Sequence, residues 1–458
     1  MQIVPSRSSS ERGAVIIQVA VCLLVLLAFS AFVVDYGIMW ASRGQIQTSA
    51  DSGALAGAIA LGYDGLTDVN LAAAKADAQV KARAYAQANG VWGAAPNVQL
   101  TDVTFPACPP GAPGPPDTCI KVDAFRNQAR GNPLGMLFGN LVGVSSQGVR
   151  ATATAQVIGA SITECLKPWA VMDRWDEMGP IQYAPTKDWN PANDPEFQPP
   201  GNPNVMSTET FDRYSDGKGN KPAAELDTYV SPDPNQVGTG YNLKYDTGRR
   251  FAVKTDSNTN STVSAGWFRA IRIPRVDCDG GAGGSCYEEN IGSCGGLPNG
   301  YADPATVCPS NIGIEDAAYW ATKGCYGVET GEKVGPTRQG IEMLLARDSG
   351  AYWDSGQVKG SVMGDANWWK SPRVVPVGVI DINHFLSQDP NGQNGVLKMV
   401  NIFGFFIEGM GDIDTTDGSM SLNPAGKAVI GRILTIPGLG ASKNASNSVF
   451  MRSIILVR

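Results

Sequence analysis

Few side chains in this chain are placed to do chemistry. His384 is the single histidine among 458 residues, so any Ser-His-Asp, Cys-His or multi-histidine zinc arrangement would depend on it. It follows the run Val374 to Ile382, which reads as a buried strand, and is expected to be structural. No C-x-x-C pair occurs among the nine cysteines, which argues against zinc. Asp412, Asp414 and Asp417 are hard oxygen donors of the kind calcium takes, but they lack the spacing and closing glutamate of an EF-hand loop. "DGSMS", Asp417 to Ser421, sets a carboxylate and two hydroxyls at alternate positions, yet too little chain follows to build the doubly wound sheet such a metal site needs. A turn is expected in both places. "GGAGGSC", Gly280 to Cys286, lacks the Lys-Ser/Thr ending of a P-loop and reads as a disulfide loop. The 43 acidic residues leave carboxylate pairs open, with no spacing that singles one out. The expectation is no catalytic residue, no metal and no cofactor. A net charge of -7 also argues against nucleic acid as a partner.

The element that dominates the sequence is apolar. Ala14 to Val34 carries no charge, and its strongly polar residues are Gln18 and Ser30. At about 1.5 Å per residue the run extends roughly 31 Å, the thickness of a bilayer core. It is longer than a signal-peptide apolar region and lacks a good small-x-small cleavage site. It therefore reads as a retained transmembrane anchor, with Ala14, Leu23, Leu27 and Val34 facing lipid. Tyr36 and Trp40 suit the membrane–water interface, and Arg7 and Arg12 keep the 1–13 tail cytoplasmic. The body beyond Val34 is then outside the cytoplasm in a single-pass arrangement. The eight cysteines beyond the anchor fit disulfides in an oxidising compartment. Their pairings stay open, except that Cys108 with Cys119 would close the Pro/Gly loop "CPPGAPGPPDTC".

Past the anchor, Ala50, Ala54, Leu55, Ala58 and Leu61 recur at three- and four-residue steps and form an apolar helical stripe. Its small residues either pack on the protein's own domain or meet a second copy. Residues 70 to 89, rich in Ala, Lys and Gln, predict a helix that stops at Asn89-Gly90. Val98 to Phe105 and Ile120 to Phe125 predict a hairpin, Pro133 to Val142 a short amphipathic helix, and Val149 to Ile158 a strand. Residues 175–249 predict an irregular covering rich in Pro, Asn, Asp and Gly. Beyond it, strands are expected at 251–255, 267–273, 374–382, 397–407, 427–435 and 449–457, with a helix at Pro336 to Arg347 and a cysteine-rich insert at 278–325. The fold class expected is α+β. A transmembrane helix continues into a small α+β unit over 35–160, and a larger, mostly β exported domain follows over 161–458.

One stretch carries a family resemblance. Arg12-Gly13 leads into the apolar run, and Asp35-Tyr36-Gly37 leads out of it. Gln47, Ala50 and Asp51 follow, then the small-residue helix with Ala54, Leu55 and Gly57. Together these residues resemble the N-terminal segment of TadG-like proteins, which are associated with assembly of Flp (tight-adherence) pili. The resemblance is strong over residues 12–61 and weak beyond. It implies a non-enzymatic, membrane-anchored assembly protein in a bacterial inner membrane, with its bulk periplasmic or extracellular and other pilus or envelope proteins as partners. Some members are described as carrying a von Willebrand-type adhesion domain; "DGSMS" fits that domain's metal motif but not its required position. Three rivals stand beside this reading. The first is a pilin-like subunit cut at Gly13, although Gln18 occupies the place where prepilins carry glutamate. The others are a tethered envelope hydrolase with paired carboxylates and a cell-surface ligand-binding protein.

Overall fold

The computed structural model describes residues 10–64, 71–114, 116–175, 211, 226–227, 229–231, 240–241, 243–253, 267–275, 277, 284–303, 305–329, 331, 333–387, 395–414, 418–439 and 450–457. The architecture is α+β: a long N-terminal helix, then a mostly β body with several disulfides. Most of the 175–249 covering and residue Arg7 lie outside the described residues.

Helix α1, Ser10–Asp64, runs unbroken through the apolar stretch and on into the body. Its buried positions begin at Asp35 and recur at Ile38, Ser42, Ile46, Ala50, Ala54, Ala58 and Leu61. That three-to-four-residue period marks one face of the helix. Helix α2, Leu71–Ala88, packs against it and buries Ala74, Ala78, Ala82 and Ala86. Small side chains let the two backbones approach closely. A Cβ placed on Gly53 would lie 2.8 Å from both the Ala82 carbonyl oxygen and the Ala86 Cβ. The Ala50-to-Leu61 stripe is therefore covered by the chain's own α2 and by the sheet beneath, so it is not free for a second copy.

That sheet has five strands among the described residues, in the order Val103–Thr104, Cys119–Arg126, Val149–Gly159, Met451–Val457 and Ile436–Pro437. Alternation in Val149–Gly159 sends Val149, Ala151, Ala153 and Ala155 towards the helices, while Arg150 and Thr152 face outward beside Asp123. The strand Met451–Val457, far away in sequence, pairs antiparallel with Val149–Gly159 and so joins the sheet that packs on α1 and α2. Cys108 is disulfide-bonded to Cys119, closing the Pro/Gly loop.

The second sheet has eight strands among the described residues, centred on Val396–Ile413. Val374–Ile380 lies beside it and also pairs in parallel with Trp169–Met172. Both faces of this sheet are covered. Phe251, Phe403, Phe405 and Val377 pack with Ile291 and Leu344 on one side, and Met172, Ile402, Phe406 and Trp368 pack on the other. Double burial is why Val374–Ile380 is almost continuously apolar. Cys165–Cys294 fastens the cysteine-rich segment to the rest of the body, and Cys308–Cys325 closes a loop within it. Cys286 is also disulfide-bonded, and Cys278 lies outside the described residues.

Two elements differ from expectation: of the strand expected over Val98 to Phe105 only Val103–Thr104 is extended, after a 3-10 turn at Leu100–Asp102. Pro133 to Val142 is not a helix but a two-residue strand, Leu134–Gly135, paired with Ser146–Gln147, followed by a 3-10 turn at Gly139–Val142. Glycines at 135, 139 and 143 weaken any helix there, and Gly143 adopts φ +83°. Three of the segment's N–H groups bond to a side chain of α1 instead of to helical carbonyls.

Candidate functional site at the end of the apolar run

From Val15 to Val34 the side chains of α1 point into open surroundings, in a stretch of mean hydropathy 2.8 with none of it buried. Leu23 and Leu27 are exposed, and the backbone of Arg12, Gly13 and Ala14 belongs to the same helix. The Ser30 hydroxyl donates to the Leu26 carbonyl, so this polar group needs no partner outside the helix. Phe32, Tyr36 and Trp40 follow one another at single-turn spacing, with ring centroids 5.9 and 6.5 Å apart. Gly37 sits on the open side, with nothing near its Cα hydrogen.

Asp35 is the first buried residue of α1 from Val15 onward, only 9% exposed. Its carboxylate accepts N–H bonds from Leu137 at 2.9 Å, Phe138 at 3.1 Å and Gly139 at 2.6 Å. Three successive amides converging on one carboxylate form an anion-binding concavity, here filled from within the chain. The body is thereby fixed to the helix at the residue where the uncharged run ends. Further contacts follow up the same helix. Gln45 accepts the Trp92 N–H at 2.7 Å, and Ser49 donates to the Ala86 carbonyl at 2.8 Å. Gln47 donates to Asp51 at 2.8 Å and to the Thr152 carbonyl at 3.3 Å. Gly57 lies under Ile120 and Ala82, and Leu55 packs on the edge of this core. At the far end of α1 the Tyr63 ring stacks on Trp369 at 5.5 Å, and its hydroxyl donates to the Arg452 carbonyl.

Asp35 stands out in the sequence, but its partners do not. The only signal available was a lone acid placed directly after an uncharged span. The loop that answers it lies about a hundred residues away and carries no motif.

The interior of the second sheet holds the charged groups that paired-carboxylate chemistry would need. Asp173 and Asp381 follow the parallel strands Trp169–Met172 and Val374–Ile380. Burial pushes the Asp173 carboxyl up to about 7, opposed by the Tyr229 hydroxyl donating at 2.9 Å and the Arg174 N–H, with the nearby charge of Asp381 raising it further. Asp173 is fully buried. Asp381 caps the helix Ile382–Ser387 by accepting the His384 N–H at 2.8 Å, and it also accepts the Ser231 hydroxyl. His384 pairs its Nε2 with the Val396 carbonyl at 3.2 Å. Arg174 and Asp246 form a buried ion pair at 2.9 Å. Each of these groups has a hydrogen-bond or ion-pair partner within the chain.

Burial also lowers the Lys167 amine to about 7, with Arg275 and Arg347 adding to the effect. Its Nζ donates to the Asn290 and Ser293 carbonyls, both at 3.0 Å, at the end of the helix Gly284–Gly292. A lysine there satisfies carbonyls that the helix leaves unpaired. Asp412 accepts from Asn423, and Asp414 closes the hairpin between Val396–Ile413 and Met420–Leu422. Asp417 lies outside the described residues. Among the described residues no group of three or more His, Cys, Asp or Glu side chains is arranged to hold a metal.

Residues 13–60 match the Tad family model, Flp pilus-assembly TadE/G-like. The matched span begins at the entry to the apolar stretch and ends on the face that α2 covers, with Asp35 near its middle. No curated protein and no solved structure matches the chain.

Proposed function

We propose that this protein is a non-catalytic, membrane-anchored component of a Flp/Tad-type pilus assembly apparatus. Helix α1 holds it in the cytoplasmic membrane and carries a large body on the outer side. One observation carries the reading: a single continuous helix is bare and apolar up to Val34 and built into the body from Asp35 onward, and the Tad match spans that junction. A helix that were merely a leader would not need its far half packed into the folded unit. Disulfides in the body support an oxidising compartment beyond the membrane. The mechanism is positional: a rigid rod through the lipid sets the height and orientation of the β-rich body, which meets pilus subunits or other envelope proteins. The interior bonding of Asp173 and Asp381 supports a structural over a hydrolytic role for these carboxylates.

Two measurements test the reading. Deleting the gene should abolish surface fibres, and restoring the full chain but not one lacking residues 14–34 should return them; fibres that survive deletion contradict it. Intact mass of the membrane-extracted protein should place the N-terminus before Ala14. A mass beginning at Ala14 would favour the pilin-like alternative.

A further inference from the structure

We infer that residues 133–147 form a second membrane contact, a charge-free apolar loop lying on the phospholipid interface beside α1. This deepens the reading of α1 as a membrane span and rests on it. Position is the first argument. The Asp35 carboxylate holds the amides of Leu137, Phe138 and Gly139 against the helix at the first residue past the uncharged run. Whatever height the bilayer surface has on α1, this loop shares it.

Composition is the second. From Gly131 to Val149 there is no Asp, Glu, Lys, Arg or His, while Leu134, Met136, Leu137, Phe138, Leu141, Val142 and Val144 fall within it. Leu134 and Met136 turn into the body's core, but Leu137, Phe138 and Val144 are 63%, 41% and 39% exposed. Outward apolar side chains with no charge among them suit a headgroup–acyl boundary better than water. Tyr36 and Trp40 continue this surface on the helix itself, within about 8 Å along its axis at 1.5 Å per residue.

Backbone bonding is the third argument. Non-helical backbone near lipid must have its polar groups satisfied internally. Besides the three amides on Asp35, Met136 donates to the Ser145 carbonyl, Gly143 to Asn140 and Val144 to Gly139. The Asn140 side chain donates to the Met136 carbonyl. Continuity with the apolar span assigns the occupant as lipid rather than another protein.

The test uses the full chain in vesicles of phosphatidylcholine with brominated acyl chains. An environment-sensitive fluorophore is placed on native Cys22, which is free and exposed. Separate Cys22→Ser chains carry it on Phe138→Cys, on Val144→Cys, or on Val307→Cys, an exposed site in the body. Probes at 22, 138 and 144 should lose most of their emission to bromine, and the probe at 307 should lose none. Quenching at 22 with water-like, unquenched emission at 138 and 144 overturns the loop contact and leaves the span standing. Blue-shifted but unquenched emission at 138 and 144 means a protein occupant, such as a second copy, and also overturns it. No quenching at 22 removes the span and the loop contact together.

Discussion

Replacing Asp35 by alanine removes one carboxylate and strands three backbone amides. Leu137, Phe138 and Gly139 donate to it at 2.6 to 3.1 Å in a site only 9% exposed. A hydrogen bond to a charged group contributes about 1.5–3 kcal/mol net. The released turn can swing out and regain water, so the total falls well short of three times that figure. We expect local destabilisation of about 2–3 kcal/mol, which corresponds to roughly 30- to 150-fold faster opening at about 1.4 kcal/mol per tenfold. The assay is amide hydrogen exchange on the full chain in lipid nanodiscs. Exchange at residues 137–139 should accelerate by that factor in Asp35→Ala, while amides of α2 and of Val149–Gly159 stay protected. Asp35→Asn should fall between the two, because it keeps one acceptor oxygen but presents an amide donor to the same three N–H groups. Unchanged exchange at 137–139 in Asp35→Ala would refute the reasoning, because it would mean those amides are protected by something other than the carboxylate.

Gly53→Ala would force a methyl to within 2.8 Å of the Ala82 carbonyl and the Ala86 Cβ; overpacking of about 1–3 kcal/mol should lower the melting temperature. Gly37→Ala, with open space around it, should be neutral or gain up to about 1 kcal/mol of helix propensity. Replacing Cys108 and Cys119 together by alanine opens a loop of sequence separation 11 and should cost about 2–3 kcal/mol, read by denaturant titration under non-reducing conditions. Lys167 gives a pH signature. Its amine falls from 10.5 to about 7 in the folded protein, so the unfolded chain binds the extra proton between those values. Stability should therefore fall as pH drops from about 10.5 to 7, by at most about 1.4 kcal/mol per pH unit, and level off below 7. Lys167→Met should flatten that slope in denaturation midpoints measured from pH 7 to 10.

The helical and alternating patterns were legible because a single period decides them. The Ala50-to-Leu61 stripe, α2 and Val149–Gly159 each repeat apolar residues at their own spacing over several turns or pleats. Pro133 to Val142 misled because Leu134, Leu137, Phe138 and Leu141 also fit a helical period. Glycines at every fourth position and an acid on α1 outweighed it. Nothing in the run 449–457 indicates which sheet it joins, since an apolar strand carries no address for its partner. The Cys165–Cys294 link, 129 residues apart, is likewise a product of the folded topology. Whether the small-residue stripe faced its own chain or another depended on α2 returning alongside it, which composition alone does not fix.

The central claim is that α1 is a retained anchor with the body beyond the cytoplasm. The most direct measurement is protease digestion of intact spheroplasts, followed by immunoblotting with tags on the tail and on the body. The account predicts that the body tag is lost without lysis while the tail tag survives on a membrane-embedded fragment resistant to alkaline extraction. A body protected until lysis, or a chain released by alkaline extraction, would contradict it.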